Sequence, residues 1–562
     1  MSNEKNQQQQ LELAQLEHEH VYDPQARESD LVQAAIAAGD AETKLPLKQL
    51  IRIYYPAALW SMALSAALIM DGMDTGLVNN FFAQPSYVER FGVPGAGANG
   101  AKAIPADWQA AINNGQQIGA VAGLAFVGWA TDRFGSRKIY MLGMVLLSAA
   151  IFMLVFAQNL PMLMMGNMLC GFPWGIYQTL TTAYAAEICP TAMRGYLTTW
   201  VSMCWGMGNF LAAGILRGSL QLPDEWAWRM PYIIQWAWPV PLFIVGFLAP
   251  ESPWHLVRKG RYDEAARTIR RLARPGYYTD SQIQEQVELI KYTDAKEKEE
   301  VASATYFDCF RGVNLRRTEI ACVVFAIQPL TGQGVTGYAT TYLTQAGMSA
   351  VMAFNYSMAI QSVNIVATGI AIFLTGYVGR RTSYLYGTAA IALFQLVLGV
   401  LGVAGGSDVA LGVAVMMIMI QLAFKLSVGP ICYSIIADIP NSRLRNKTIA
   451  LARATYITTN IVCGQLLPRM LSPTAFNWGA KSGWFWFGIG LFCVGYTFFR
   501  VPETKDRTYL ELDKLFQDRV PARKFRATKL DLAALSGQND EVIDEKAEMQ
   551  HVEGVPTTEL RR

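Results

Sequence analysis

From Ile139 to Ala186, and again from Ala321 to Gly379, the sequence contains no Asp, Glu, Lys or Arg. A helix needs roughly 20 apolar residues to cross a hydrocarbon core, so each stretch holds two crossings joined by a short turn. Backbone N–H and C=O groups must be satisfied inside lipid, which leaves helices or closed barrels. Barrel strands alternate over about 10 residues, and runs this long exclude them. Composition agrees: 52% of residues are hydrophobic and 16% charged, against about 25% charged in a soluble chain. The charges concentrate at the two ends, residues 1–53 and 501–562.

Length and flanking charge predict an all-α integral membrane protein with 12 crossings. The spans are 55–79, 110–131, 139–157, 161–185, 195–216 and 231–250, then 319–342, 352–376, 383–404, 409–436, 447–469 and 482–500. The implied organisation is a tail (1–54), a six-helix bundle (55–250), a polar linker (251–318), a second six-helix bundle (319–500) and a second tail (501–562). In the linker, Ala265, Ala266, Ile269 and Leu272 recur at helical spacing, the mark of an amphipathic helix lying on a membrane face. Two groups of six crossings around a polar middle are the layout of a two-bundle transporter with its substrate site between the halves. Basic residues gather in the 2–3 loop (Arg133, Arg137, Lys138), the 8–9 loop (Arg380, Arg381) and the 10–11 loop (Arg443, Arg445, Lys447). The 7–8 and 9–10 loops have none, so both termini are expected in the cytoplasm.

A net charge of +3 gives no argument for nucleic acid. Most of the eight cysteines fall inside apolar runs without paired spacing and read as small buried hydrophobes. The first 50 residues are polar and include the Gln7–Gln10 run, so no cleavable signal peptide is evident and the first crossing is expected to serve as an uncleaved one. No phosphate-binding loop, Ser/His/Asp constellation or metal-ligand cluster is evident; neither an enzyme nor a cofactor is expected.

Several motifs carry a family resemblance. Gly128-Trp-Ala-Thr-Asp132-Arg133-Phe-Gly135-Ser-Arg137-Lys138 resembles the 2–3 loop signature of the major facilitator superfamily. Its second-half counterpart, Val378-Gly379-Arg380-Arg381, has Gly376 where that family often has an acid. Glu187-Ile-Cys-Pro190-Thr-Ala-Met-Arg194-Gly195, Pro250-Glu251-Ser252-Pro253 and Pro502-Glu503-Thr504 narrow the resemblance to sugar porters. Pro173-Trp174-Gly175, Gly429-Pro430-Ile-Cys-Tyr433 and Ser442-Arg443-Leu444-Arg445 are similar to the fungal α-glucoside permease group. The resemblance covers roughly residues 50–525. It implies the major facilitator fold, and it implies gating by Asp132, Arg133, Arg137, Glu187, Arg194, Glu251, Arg380, Arg381 and Glu503, whose charges hold the inward gate shut in that family.

Charges inside the crossings are costly, so they are candidates for function. Asp71 and Asp74 lie at i, i+3 near the end of the first crossing and share one helical face. No histidine falls in a crossing, so any coupled proton must ride on a carboxylate. Asp71-Gly-Met-Asp74-Thr75 resembles the Gly-Tyr-Asp-Thr of sugar/proton symporters, which implies Asp74 as the titrating group. The family's Arg early in the fourth crossing is Asn167 here, and the acid usual in the second crossing of the α-glucoside group is Gln116; both departures leave a facilitator open. Arg453 in the eleventh crossing either pairs with a carboxylate or snorkels to the interface. Lys425 in the tenth has 16 uncharged residues before it and 12 after. It either binds an acidic group on a substrate, pairs with Asp71 or Asp74, or reaches water.

Sugar binding needs convergent donors and acceptors with an aromatic platform. Gln328-Pro329-Leu-Thr-Gly332-Gln333-Gly334 resembles the Gln-Gln-x-x-Gly-x-Asn motif of sugar porters, with Pro329 and Gly334 in place of a Gln and an Asn. Pro and Gly there predict a broken helix and a wider cavity. Gln361, Asn364, Ser202 and Gln178 supply further polar contacts, each with interhelical hydrogen bonding as the plain alternative. Tyr433 matches an aromatic gate beside the sugar. The leading expectation is a proton-coupled importer of an α-glucoside or similar oligosaccharide at a fungal plasma membrane, whose partners are a sugar or related polar metabolite, a proton and the bilayer. The rivals are a permease or exporter of another polar or acidic metabolite, and a non-transporting sugar sensor.

Overall fold

The computed structural model describes residues 47–528 apart from 98, 99, 303, 304, 405–408, 442, 443, 506 and 508. Arg443 and the outer parts of both tails, 1–46 and 529–562, lie outside the described residues. Among the described residues the chain is helical, with one isolated bridge, Val93–Ala103, in the loop after the first crossing.

Among the described residues, twelve helical rods run in sequence. Crossing 1 is Leu47–Ser65 and Ala67–Phe81, crossing 2 Ala106–Phe134, crossing 3 Ser136–Val155, crossing 4 Leu160–Ile188 and crossing 5 Thr191–Ser219. Crossing 6 is Trp226–Ile234 and Pro239–Leu248 around a tight turn, Gln235–Ala237. Crossing 7 is Gly312–Leu330, Gln333–Tyr338 and Ala339–Gln345, and crossing 8 is Ala350–Tyr377. Crossing 9 is Arg380–Ala404; crossing 10 is Val409–Ala423, Phe424–Val428 and Gly429–Asp438. Crossing 11 is Arg445–Leu471 and crossing 12 Ser482–Arg500. Among the described residues, eight of these rods are long and apolar enough to cross a membrane on composition alone. The other four, crossings 2, 4, 5 and 11, carry the Asn, Gln, Trp and Arg side chains that meet at the centre of the protein, and this polarity lowers their mean hydropathy.

The breaks have local causes. Pro239 has no N–H to give to the Gln235 carbonyl, and Trp238 N takes that bond instead at 3.2 Å, tightening the turn. In crossing 7, Pro329 and Gly332, whose φ is +73°, end the α-helix after Leu330. In crossing 10, Pro430 removes a rung, and Gly429 N reaches back five residues to the Phe424 carbonyl, a π-type turn.

Small residues let the rods approach. In crossings 2 and 4, a Cβ at Gly119 or Gly123 would strike the carbonyl oxygens of Met168 and Phe172; one at Gly171 or Gly175 would strike those of Gln116 and Ala120. Backbones in lipid pack this closely only through such positions.

The linker helices Pro253–Arg258, Tyr262–Leu272 and Asp280–Ala302 form a small core of Leu256, Val257, Ala265, Val287 and Ile290. Arg274 N ties them to the start of crossing 1 through the Ile53 carbonyl at 2.8 Å. This side of the protein is the linker face; the opposite side is the far face. At the far face the halves are joined by Arg469 and Asp107 (2.8 Å), by Arg217 Nε donating to Asn355 (3.1 Å), and by the pairs Thr340–Asn80 and Asn113–Tyr338.

Candidate functional site

Asp71 and Asp74 are both buried, at 3% and 0% exposure. Their shared face points into the first half, and donors from four other crossings converge on them. Asp74 Oδ2 accepts from Gln116 Nε2 (2.7 Å) and Trp174 Nε1 (2.8 Å), and Oδ1 accepts from Gln235 Nε2 (3.0 Å). Asp71 Oδ2 accepts from Trp205 Nε1 (2.6 Å) and Gln178 Nε2 (3.0 Å). The tight turn in crossing 6 is what brings Gln235 to Asp74. Among the described residues, no cation touches either carboxylate directly. Trp174, Trp205 and Gln235 are not recognisable as partners from the sequence, since an indole or amide inside an apolar run has no pattern of its own.

Two departures from the family pattern acquire a physical meaning. An ionised acid at position 116 could not donate to Asp74, whereas Gln116 does. Asn167 donates to the Leu163 carbonyl of its own helix at 2.8 Å and reaches neither carboxylate.

Beside the pair, between the halves, lies a cavity of about 310 Å³. Six asparagines and six glutamines line it, from both halves: Asn79, Asn113, Asn114, Asn209, Asn364, Asn460, Gln116, Gln117, Gln328, Gln333, Gln361 and Gln421. Trp205, Tyr338, Phe424 and Tyr456 add aromatic surface. Each carboxamide offers both donors and an acceptor, the match for a polyhydroxylated ligand. Asn364 Oδ1 makes no hydrogen bond with the protein. Gln116 and Trp205 touch both the cavity and a carboxylate, so cavity and acid pair are one contiguous polar region.

Of the residues expected to bind substrate, Gln328, Gln361, Asn364 and Lys425 line this cavity; Gln178, Ser202 and Tyr433 do not. Gln178 instead bridges the halves: its Nε2 donates to Asp71, and its Oε1 accepts from Arg453 Nη2 at 3.2 Å. Arg453 therefore neither pairs with a carboxylate nor snorkels free; its guanidinium also lies 5.0 Å from the Tyr456 ring centre. Ser202 is partly buried on crossing 5. Tyr433 meets Phe325 edge-on at 5.5 Å and is 46% exposed. Among the described residues, no Asp or Glu pairs with Lys425, which corrects the expectation of a pair with Asp71 or Asp74.

The charged motifs sit at the linker face and repeat between the halves. Glu251 Oε1 accepts from Ser136 N (2.9 Å) and Arg137 N (3.4 Å) at the start of crossing 3. Glu503 Oε1 accepts from Arg380 N (2.7 Å) at the start of crossing 9, and Oε2 accepts from Thr382 Oγ1 (3.5 Å). Gly135 and Gly379 precede these helix starts because a Cβ there would run into the carboxylates of Glu251 and Glu503. Glu187 bonds the Ser252 hydroxyl. Asp132 pairs with Arg258 at 3.6 Å, and Arg258 with Asp294 at 2.8 Å. Arg380 pairs with Asp438 at 3.7 Å, and Arg381 donates to the Phe498 carbonyl at 2.8 Å. Arg133 lies over Trp129 and Arg137 over Phe247. The side chain of Arg194 lies outside the described residues. Each of these contacts stays within one half and its linker. Sequence reasoning passed over Arg258, Asp294 and Asp438, which look like ordinary surface charges until the fold places them.

Two six-helix bundles around a polar central cavity define a secondary transporter. Residues 60–516 match the family described as "Sugar (and other) transporter". The chain belongs to that family, one of permeases and not of enzymes. It is 37% identical over 506 residues to the maltose permease MAL31 of Saccharomyces cerevisiae, covering 89% of this chain and 82% of that one. It is 34% identical over 523 residues to the general alpha-glucoside permease of the same yeast, covering 92% and 85%. Among solved structures, the inward-open xylose transporter XylE from E. coli superposes with a TM-score of 0.67 at 20% identity, over 82% of this chain and 100% of that one. The proton:xylose symporter XylE bound to 6-bromo-6-deoxy-D-glucose gives 0.65 at 21%, over 82% and 99%. At these identities the structural likeness concerns the fold.

Proposed function

We propose that this chain imports an α-glucoside together with a proton, by alternating access of the two halves around the central cavity. The observation that carries the reading is the contiguity of a carboxamide-lined cavity with two buried carboxylates. A ligand in the cavity and a proton on Asp71 or Asp74 then share Gln116 and Trp205 as common neighbours, so the occupancy of one site is felt at the other. Support for the substrate comes from the yeast relatives, which are maltose and α-glucoside permeases, and support for coupling from the proton:xylose symporter of like fold. The basic 2–3, 8–9 and 10–11 loops favour a cytoplasmic linker face and cytoplasmic termini in a plasma membrane. With that orientation, the ties between the halves at the far face fit a state closed to the outside. The helix-start pairs Glu251–Ser136 and Glu503–Arg380, with their neighbouring charges, act as gating elements that stiffen each half while it rocks.

Labelled maltose uptake tests this in cells lacking their own sugar permeases. Uptake abolished both by a proton uncoupler and by Asp74→Asn supports the reading. Absence of uptake by a protein shown to reach the surface refutes it.

A further inference from the structure

Lys425 is the one charged side chain among the described residues that line the central cavity. The π-type turn at Phe424–Val428 sets it there, two residues before Ser427 turns back to bond the Ala423 carbonyl. Its ammonium lies 5.8 Å from the Phe424 ring centre, and no carboxylate among the described residues neutralises it. The charges that face this region from the packed elements are Asp71, Asp74 and Arg453. Both acids already accept bonds from indole and amide donors. Arg453 is engaged by Gln178.

Lys425 is partly buried, and a charge at this depth in a membrane protein calls for a partner. When the acids carry protons, the described residues around the cavity include two cations, Arg453 and Lys425, and no anion. We propose that the missing partner arrives with the substrate: the cavity takes a glycoside that bears a carboxylate, with the Lys425 ammonium as its counter-ion and the cavity amides on its hydroxyls. The inference rests on the glycoside reading above and names the substrate class within it. It also fixes the charge carried per cycle. One proton with one monovalent anion moves no net charge, whereas one proton with neutral maltose moves one.

The test uses the full chain in lipid nanodiscs, with quenching of tryptophan fluorescence as readout, since Trp205 lines the cavity. The probes are maltose, maltobionate (the same α-glucosyl unit on a carboxylate-bearing sugar acid) and gluconate. Close charge pairs at interfaces are worth roughly tenfold or more in affinity. The parent is expected to bind maltobionate at least about tenfold more tightly than maltose. Lys425→Gln should abolish that preference, and Lys425→Arg should restore it. Equal affinity of the parent for maltose and maltobionate overturns the proposal, as does a preference that survives in Lys425→Gln. Lys425-dependent binding of gluconate, with neither disaccharide bound, sinks the α-glucoside reading and leaves the anion assignment standing. Maltose binding with no effect of Lys425 does the reverse.

Discussion

Glu251→Gln and Glu503→Gln should destabilise the protein by similar amounts, because the two carboxylates do the same work in the two halves. Each accepts a main-chain N–H at the first turn of a crossing, at 2.9 Å from Ser136 N and 2.7 Å from Arg380 N. An amide keeps an acceptor there but loses the charge. Hydrogen bonds to charged groups exceed neutral ones by about 1 kcal/mol. The favourable interaction of an anion with a helix N-terminus adds about 0.3–1 kcal/mol. Each substitution should therefore cost about 1–2 kcal/mol, and Ala, which leaves the N–H without its acceptor, about 3 kcal/mol. The sites belong to different halves and share no partner, so the double variant should equal the sum within about 0.5 kcal/mol. SDS titration of protein folded in mixed micelles, followed by tryptophan fluorescence, gives these differences. Two Gln variants within about 0.5 kcal/mol of the parent would refute the argument. So would a large effect at one site beside none at the other.

Other consequences are open to direct measurement. Gly119→Ala should sharply reduce the monodisperse folded fraction on size exclusion, since its Cβ would collide with the Met168 carbonyl, whereas Gly128→Ala, which meets nothing within 4 Å, should match the parent. His255, in the linker helix Pro253–Arg258, is held below the usual imidazole range by partial burial, with Lys259 and Arg258 acting in the same direction and Glu251 opposing. Its neutral form belongs to the fold, so its contribution is complete above the ordinary histidine range and is lost as pH falls below it. Thermal melts across that window should show a smaller pH slope for His255→Gln than for the parent; equal slopes would refute the assignment.

The crossings were legible because charge is excluded from lipid over stretches that only helices satisfy. Asp71 and Asp74 stood out for the same reason: an acid inside an apolar run is rare and costly. What holds them was not legible. Trp174, Trp205 and Gln235 lie 100 or more residues away along the chain from the acids they touch, and only the packing of crossings 4, 5 and 6 against crossing 1 brings them there. Gln178 looked like one more cavity amide, but the fold spends both ends of its carboxamide, one on Asp71 and one on Arg453. Crossing 7 was readable as a broken helix from Pro329, but the glycine that turns the chain is Gly332, with its positive φ, and not Gly334, to which the motif pointed. Whether Lys425 finds a partner is a matter of distance across the cavity, which spacing along one helix does not encode.

Protons carried on the Asp71/Asp74 pair are proposed to drive sugar movement. Purified protein in sealed liposomes tests it with two assays on one preparation: maltose counterflow without a pH gradient, and maltose accumulation driven by an imposed one. The parent should perform both, while Asp74→Asn and the double Asp71→Asn/Asp74→Asn variant keep counterflow and lose gradient-driven accumulation. Accumulation retained by the double variant would contradict it.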